Sequence, residues 1–362
     1  ICSGNMMKKI IYYLLIVINC NDINAQEIDS NFVYKNTCID EQTIIILHLP
    51  KTSGIDSLNL IVLKEYFIST IQQVLPSEKH VAKVDSTGIA VFKIIGLVQP
   101  AYINLGSGFR ERSNSKKLMS FFTNYLIEPG DSIVINVQSL SPKYYSNKKG
   151  SGIVGWKIEE VSFSGRGFQK FKCKNEYDKF NTFLIIEKLD SIKVRRMQVL
   201  ESHKNELTKL SYQILKAEII GDIQNRIYQR LKFIFENIND STFNKANRMY
   251  EMYFNNTPLN QFDEKIICLS REYFHFEYFR SLAFYKLYSY LQKSDSYFFF
   301  IRKKYTGKLL EKLMTTFVID KMKTWIDAAE LETALYVIQN SYYKKLLIDV
   351  QESSIRGLSA HD

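Results

Sequence analysis

Phe163-Ser164-Gly165-Arg166-Gly167 divides the chain. Before it, apolar residues fall in short β-branched runs or at every second position. After it, they recur every third and fourth. A period of two sends alternate side chains to opposite faces of a strand, and a period near 3.6 gathers them on one face of a helix. The pentapeptide therefore separates a β-rich region, residues 26–166, from a helical one, residues 167–355. The fold class expected is α+β and multidomain: an antiparallel, sandwich-like β domain followed by an all-helical domain.

Upstream of the divide, Thr43-Ile44-Ile45-Ile46-Leu47 and Leu58-Asn59-Leu60-Ile61-Val62-Leu63 read as strands. Val81–Val84, a turn at Asp85-Ser86-Thr87-Gly88 and Ile89–Ile94 read as a hairpin. Ala101–Leu105 is a further strand. Phe121–Ile127 meets Glu128-Pro129-Gly130-Asp131, where Pro presets φ for the second turn position and Gly supplies a positive φ at the third. Ser132–Val137 leaves that turn, residues 142–155 read as a polar loop, and Trp156–Phe163 as the last strand.

Downstream, Leu184, Leu189, Ile192 and Val199 begin a helical pattern that is expected from about Glu176. Ile227, Leu231, Ile234 and Phe235 form an i, i+4, i+7, i+8 stripe. Asn239-Asp240-Ser241, Thr257-Pro258 and Ser294-Asp295-Ser296 punctuate the run as loops and caps. Lys170, Lys172 and Lys174 follow the two glycines. A basic, glycine-flanked junction is expected to be open to trypsin, with each side able to fold alone.

The first 25 residues read as a leader and signal peptide. Met6-Met7-Lys8-Lys9 is a positive start, and the apolar run Ile10–Ile18 falls short of the ~20 residues that a spanning helix needs. Cleavage is expected after Ala25. An alternative, lipidation of Cys20, has Asn19 where a small residue is usual. No long apolar run recurs, so no transmembrane span is expected in the mature chain, which is placed in the periplasm or cell envelope. Cys38, Cys173 and Cys268 remain, far apart and with no Cys-x-x-Cys, which excludes a redox dithiol within this sequence. They read as buried thiols, with a Cys38–Cys173 bridge as the alternative in an oxidising compartment.

The formal net charge is +10, but acidic residues interleave with basic ones, and a solvated surface rather than nucleic acid is expected. Gly150-Ser151-Gly152-Ile153-Val154-Gly155 has the G-x-G-x-x-G spacing. It lacks the helix after it whose N-terminus would hold a pyrophosphate. His48, His80, His203, His275 and His361 contain no i, i+4 pair for a metal. The adjacent Glu159-Glu160 and Asp263-Glu264 point apart. The aromatic stripe Tyr273–Tyr290 and Tyr297-Phe298-Phe299-Phe300 read first as core, second as an interaction surface. No catalytic, cofactor or metal residue is assigned.

Several of these stretches together form an order. Asp85-Ser86-Thr87-Gly88-Ile89-Ala90-Val91-Phe92, Pro100-Ala101-Tyr102, Leu126-Ile127-Glu128-Pro129-Gly130-Asp131-Ser132-Ile133 and Phe163–Gly167 precede the helical stretch. This resembles the N-terminal half of the thioredoxin-like thiol-disulfide oxidoreductases of Bacteroidetes cell envelopes, relatives of TlpA and ResA. Arg356–Asp362 is similar to the entry into their thioredoxin domain, with His361 where Pro is usual. The resemblance implies that residues 356–362 start a missing thioredoxin-like domain. It implies an accessory, non-catalytic role for the chain, positioning the redox domain or recognising its client, and envelope proteins or the fused domain as partners. The alternative is a stand-alone envelope binding module acting through the aromatic helical surface.

Overall fold

The computed structural model describes residues 42–67, 77–112, 115–147, 150–180, 186–255, 261–292, 296–321 and 328–358. The leader, Cys38 and residues 359–362 lie outside them. Among the described residues eight strands form two four-stranded sheets. β1 (Thr43–His48), β4 (Ile89–Ile94), β7 (Ser132–Asn147) and β8 (Gly150–Arg166) pair in the order β4-β1-β7-β8. β2 (Ser57–Leu63), β3 (Glu78–Lys83), β5 (Ala101–Arg112) and β6 (Ser115–Ile127) pair in the order β3-β2-β5-β6. Both sheets turn apolar side chains into one core. Ile45, Leu47, Phe92 and Ile135 come from the first sheet, and Leu58, Leu60, Ile103 and Phe122 from the second. The pairing is antiparallel except between β1 and β7, which run parallel.

Two readings of the β region change. Val81–Val84 and Ile89–Ile94 are not a hairpin. β3 pairs with β2 and β4 with β1, so the Asp85–Gly88 turn carries the chain from one sheet to the other. Backbone bonds fix that crossing: Val84 N donates to Asp56 O and Leu49 N donates to Gly88 O, both at 2.9 or 2.8 Å. The turn chemistry was local, but the strands' partners were set elsewhere in the chain. Residues 142–155 are not a loop either. β7 and β8 continue as one long antiparallel ladder down to Asn147 and Gly150. The glycine-rich spacing thus lies within β8.

Among the described residues ten helices follow, starting with α1 (Gln169–Asp178), α2 (Leu189–Ser202), α3 (Lys209–Glu236), α4 (Phe243–Tyr250) and α5 (Glu264–Leu269). They continue with α6 (Arg271–Gln292), α7 (Tyr297–Lys304), α8 (Gly307–Lys321), α9 (Ala328–Val337) and α10 (Ser341–Leu358). Helix begins at Gln169, before the expected Glu176. Its lysines hid the pattern, because α1 turns Phe171 into the sandwich core and Cys173 into the helical one. The longest helix, α3, crosses α6 at Gly221, where a Cβ would strike the backbone of Glu272 and Tyr273.

The junction is not an open hinge. Lys170 is 4% exposed, and its ammonium is held by Glu128 and Asp131 of the Pro-Gly turn. Gly167 has φ 83°, and a Cβ there would meet the Asp131 carboxylate. The second sheet is covered on both faces. Ala101, Ile103 and Leu105 face the sandwich core, while Tyr102 and Leu126 belong to the helical core, with Phe67 from the segment after β2. The two regions thus share a core at their contact. Among the described residues no helix is long and apolar enough to cross a membrane.

Candidate functional site

The seam between sandwich and helices is polar at one point. Tyr102 on β5 donates its hydroxyl to Glu218 Oε1 on α3 at 2.8 Å. Ser270 Oγ donates to the same oxygen at 2.8 Å, and Glu272 N at 3.0 Å. Arg271 N in turn donates to the Tyr102 hydroxyl at 3.3 Å. The start of α6 therefore presents the Glu272 N–H to this carboxylate, the placement that a helix N-terminus favours. Burial raises the Glu218 pKa above its ordinary value, and the neighbouring Glu272 charge adds to it. Glu272 goes the other way. Burial opposes its ionisation, but a hydrogen bond with His275, the Arg271 and His275 charges and the Asn225 amide outweigh that and hold it at about 2. Two neighbouring carboxyl groups are thus pushed apart in pKa by their surroundings.

Glu218 also lines a cleft of about 260 Å3 between β6, α1, α2, α3 and α6. All three of its bonds fall on Oε1. Asp222, one helical turn along α3, accepts from Arg196 Nη1 at 2.6 Å and from Arg226 Nε at 3.1 Å. Lys174 pairs with Asp178 at 2.8 Å and lies over the Tyr125 and Tyr177 rings. The sheet contributes Thr123 and Asn124. Asn124 has φ 58°, unusual for a residue with a side chain, and its N–H donates to Asn104 Oδ1 at 2.7 Å. The β5–β6 register shifts beside it, between Ile103 and Asn104, and such irregularities re-aim side chains. The cleft is rich in donors, and no Ser, Cys or His lines it among the described residues.

A second cavity of about 350 Å3 lies under the Pro-Gly turn. Four of its polar side chains engage one another: Glu128 accepts from Ser211 Oγ at 2.8 Å, from Thr208 Oγ1 at 3.1 Å and from Lys170 at 3.0 Å. That network is a joint.

The residues singled out in the sequence fall elsewhere. Cys173 and Cys268 are free, buried thiols on α1 and α5. Burial, with Glu176 adding to it, pushes the Cys173 thiol up to about 12. Burial pushes Cys268 up to about 11 against the opposing Lys312 charge. His48 and His80 stand on β1 and β3. His203 bridges Glu176 at 2.9 Å and Glu206 at 3.0 Å, and His275 meets the Tyr66 hydroxyl at 3.0 Å. His361 lies outside the described residues. Glu159 pairs with Lys157 on β8, and Glu264 accepts from Leu309 N. No group of three or more metal-binding side chains comes together among the described residues. The aromatic surface reduces to little: Tyr273, Phe274, Phe276, Tyr278, Tyr297 and Phe300 are buried, and Phe299 is 48% exposed beneath Lys303.

Glu218 and Arg196 were missed. Glu218 carries one signal in the sequence, a charge between Ala217 and Ile219-Ile220, while Arg196 stands beside Arg195 in a basic stretch. No family model, curated protein or solved structure matches the chain.

Proposed function

We propose that the chain is the non-catalytic accessory portion of a cell-envelope thiol-disulfide oxidoreductase, exported to the periplasm, that positions the redox domain or recognises its client. One observation carries the reading. The sandwich and the helices are fused by the buried Tyr102–Glu218–Ser270 hub and by Lys170, so that the β region is presented at one orientation. A platform needs such rigidity. The buried thiols support the non-catalytic part: disulfide exchange requires a thiolate, and Cys173 and Cys268 are held far from ionisation at neutral pH. The stretches that resemble the oxidoreductases' accessory region include the Pro-Gly-Asp turn, whose Asp131 is half of the joint.

The test has two parts. In an insulin-reduction assay the purified chain should turn over no faster than its Cys38→Ser, Cys173→Ser, Cys268→Ser variant. The coding DNA beyond the Asp362 codon should encode a Cys-x-x-Cys in frame within roughly one domain length, ~150 residues. Turnover above the cysteine-free control overturns the non-catalytic reading, and a reading frame with no such motif overturns the oxidoreductase assignment.

A further inference from the structure

His203 closes the corner between α2 and α3, and both nitrogens of its ring face an acid. Nε2 lies 2.9 Å from Glu176 Oε2 on α1, and Nδ1 lies 3.0 Å from Glu206 Oε2 in the turn Lys204–Glu206. An ionised carboxylate can only accept, and a neutral imidazole has a single N–H. The two contacts are therefore both hydrogen bonds only when the ring carries two protons. A neutral ring would turn a lone pair toward one of the two acids.

The corner that the ring holds is tied into the joint below it. His203 is 5% exposed, while the Glu176 and Glu206 side chains reach the surface. Glu206 N donates to His203 O at 2.9 Å, so the ring and the turn are placed together. Glu206, Leu207 and Thr208 then line the cavity under the Pro-Gly turn, where Thr208 donates to Glu128. Thr208 Oγ1 also accepts from Ser211 N and so caps α3. The Glu176 bond ties α1, the helix that carries Lys170, to this corner.

The charged surroundings come from four elements. On α1, Lys172 acts on Glu206, and Cys173 is a buried thiol held far from ionisation. Glu201 on α2 and Lys204 in the turn pair at 3.8 Å, and Tyr212 of α3 donates its hydroxyl to Glu201. Glu128 and Lys170 stand across Thr208. Burial opposes a charge on the His203 ring, but the hydrogen bonds and charges of Glu176 and Glu206 outweigh it and raise its pKa above the ordinary 6.5. Histidine is the type of side chain whose charge changes near neutral pH.

We propose that His203 is a pH-sensitive latch: doubly protonated, it pins α1 to the α2–α3 corner, and on losing a proton it releases one acid and frees the corner beside the cavity. Because the folded ring is held charged, the latch is fully closed below about pH 6.5 and opens as pH rises through the raised folded value. The inference uses no part of the oxidoreductase reading.

NMR titration of the histidine ring nitrogens in the full chain tests it, with amide hydrogen exchange followed in parallel. His203→Gln identifies the His203 signals by their loss and keeps one donor at every pH. Both His203 ring nitrogens should be protonated at about pH 6, and the ring should titrate above 6.5. From about pH 6 to about pH 8, exchange at residues 203–211 should accelerate about threefold more in wild type than in His203→Gln, the effect of one lost hydrogen bond. Residues 214–223 of α3 should show no such excess. Glu176→Gln, at the surface, should move the His203 titration down toward 6.5, which a merely structural contact would not do. If circular dichroism shows His203→Gln unfolded, Glu176→Gln carries the test, and the histidine whose titration it moves is His203. A single ring proton at about pH 6, titration at or below 6.5, an unmoved titration in Glu176→Gln, or equal pH dependence of exchange in wild type and folded variant overturns the proposal.

Discussion

Lys170 Nζ lies 2.9 Å from Asp131 Oδ2, with Glu128 Oε2 at 3.0 Å on its other side. The ammonium at the start of the helical region thereby neutralises the Pro-Gly turn of the β region. All three groups are shielded from water, and burial holds the Asp131 pKa up despite the ammonium beside it. Removing the cation would leave two carboxylates facing each other without it.

Lys170→Ala should therefore destabilise the protein by about 3 to 5 kcal/mol, the usual loss when one partner of a buried ion pair is deleted. Urea unfolding at neutral pH measures it. The loss should shrink on acidification, because Asp131, whose pKa is already raised, takes up a proton there. A change below about 1 kcal/mol, the range of exposed pairs, would show that the contact is superficial.

The same pair reverses the expectation for proteolysis. Lys170, Lys172 and Lys174 are turns of α1, and Arg166 sits in the β7–β8 ladder opposite Ser132. A protease needs an extended, accessible segment. Trypsin should leave the bonds at residues 166–174 intact until the protein unfolds globally, and Lys170→Ala should expose them. Early appearance on a gel of fragments ending between Arg166 and Lys174 would mean that the junction opens by itself.

Glu218 makes stability depend on pH. Its folded pKa is raised above the ordinary 4.5, so the folded state binds the proton more readily than the unfolded one. That contribution is fully present below about pH 4.5 and is lost as pH rises through the raised value. Glu218→Gln keeps an acceptor for Tyr102 and Ser270 and removes the titration. Thermal melts should show wild type losing stability relative to Glu218→Gln from pH 4.5 upward, with the gap closing in acid. Parallel curves at every pH would assign the Glu218 charge no such role.

How much of this was legible beforehand differs by level. Strand and helix periods, the Pro-Gly turn and the division at Phe163–Gly167 are local. Each is dictated by side chains within a few residues, through φ preferences and the burial of one face. Pairing is not local. The Asp85–Gly88 turn has the same residues whether it joins strands of one sheet or two, and β3 and β4 went to different sheets because their hydrogen-bonding partners, β2 and β1, had done so.

The composition and periodicity of this chain were enough to specify a β-rich half and a helical half, because those properties follow from spacing along the backbone. They could not specify the seam. Tyr102 and Glu218 are 116 residues apart, and neither carries a mark in its own neighbourhood beyond a charge in an apolar run. Only packing α3 and α6 against the outer face of β5 removes water from that carboxylate. It also leaves the buried Arg196 Nε–H without an acceptor and turns a basic junction into a buried ion pair. Charge and hydrogen bonding in a folded chain depend on which groups lose water together, and that depends on long-range packing.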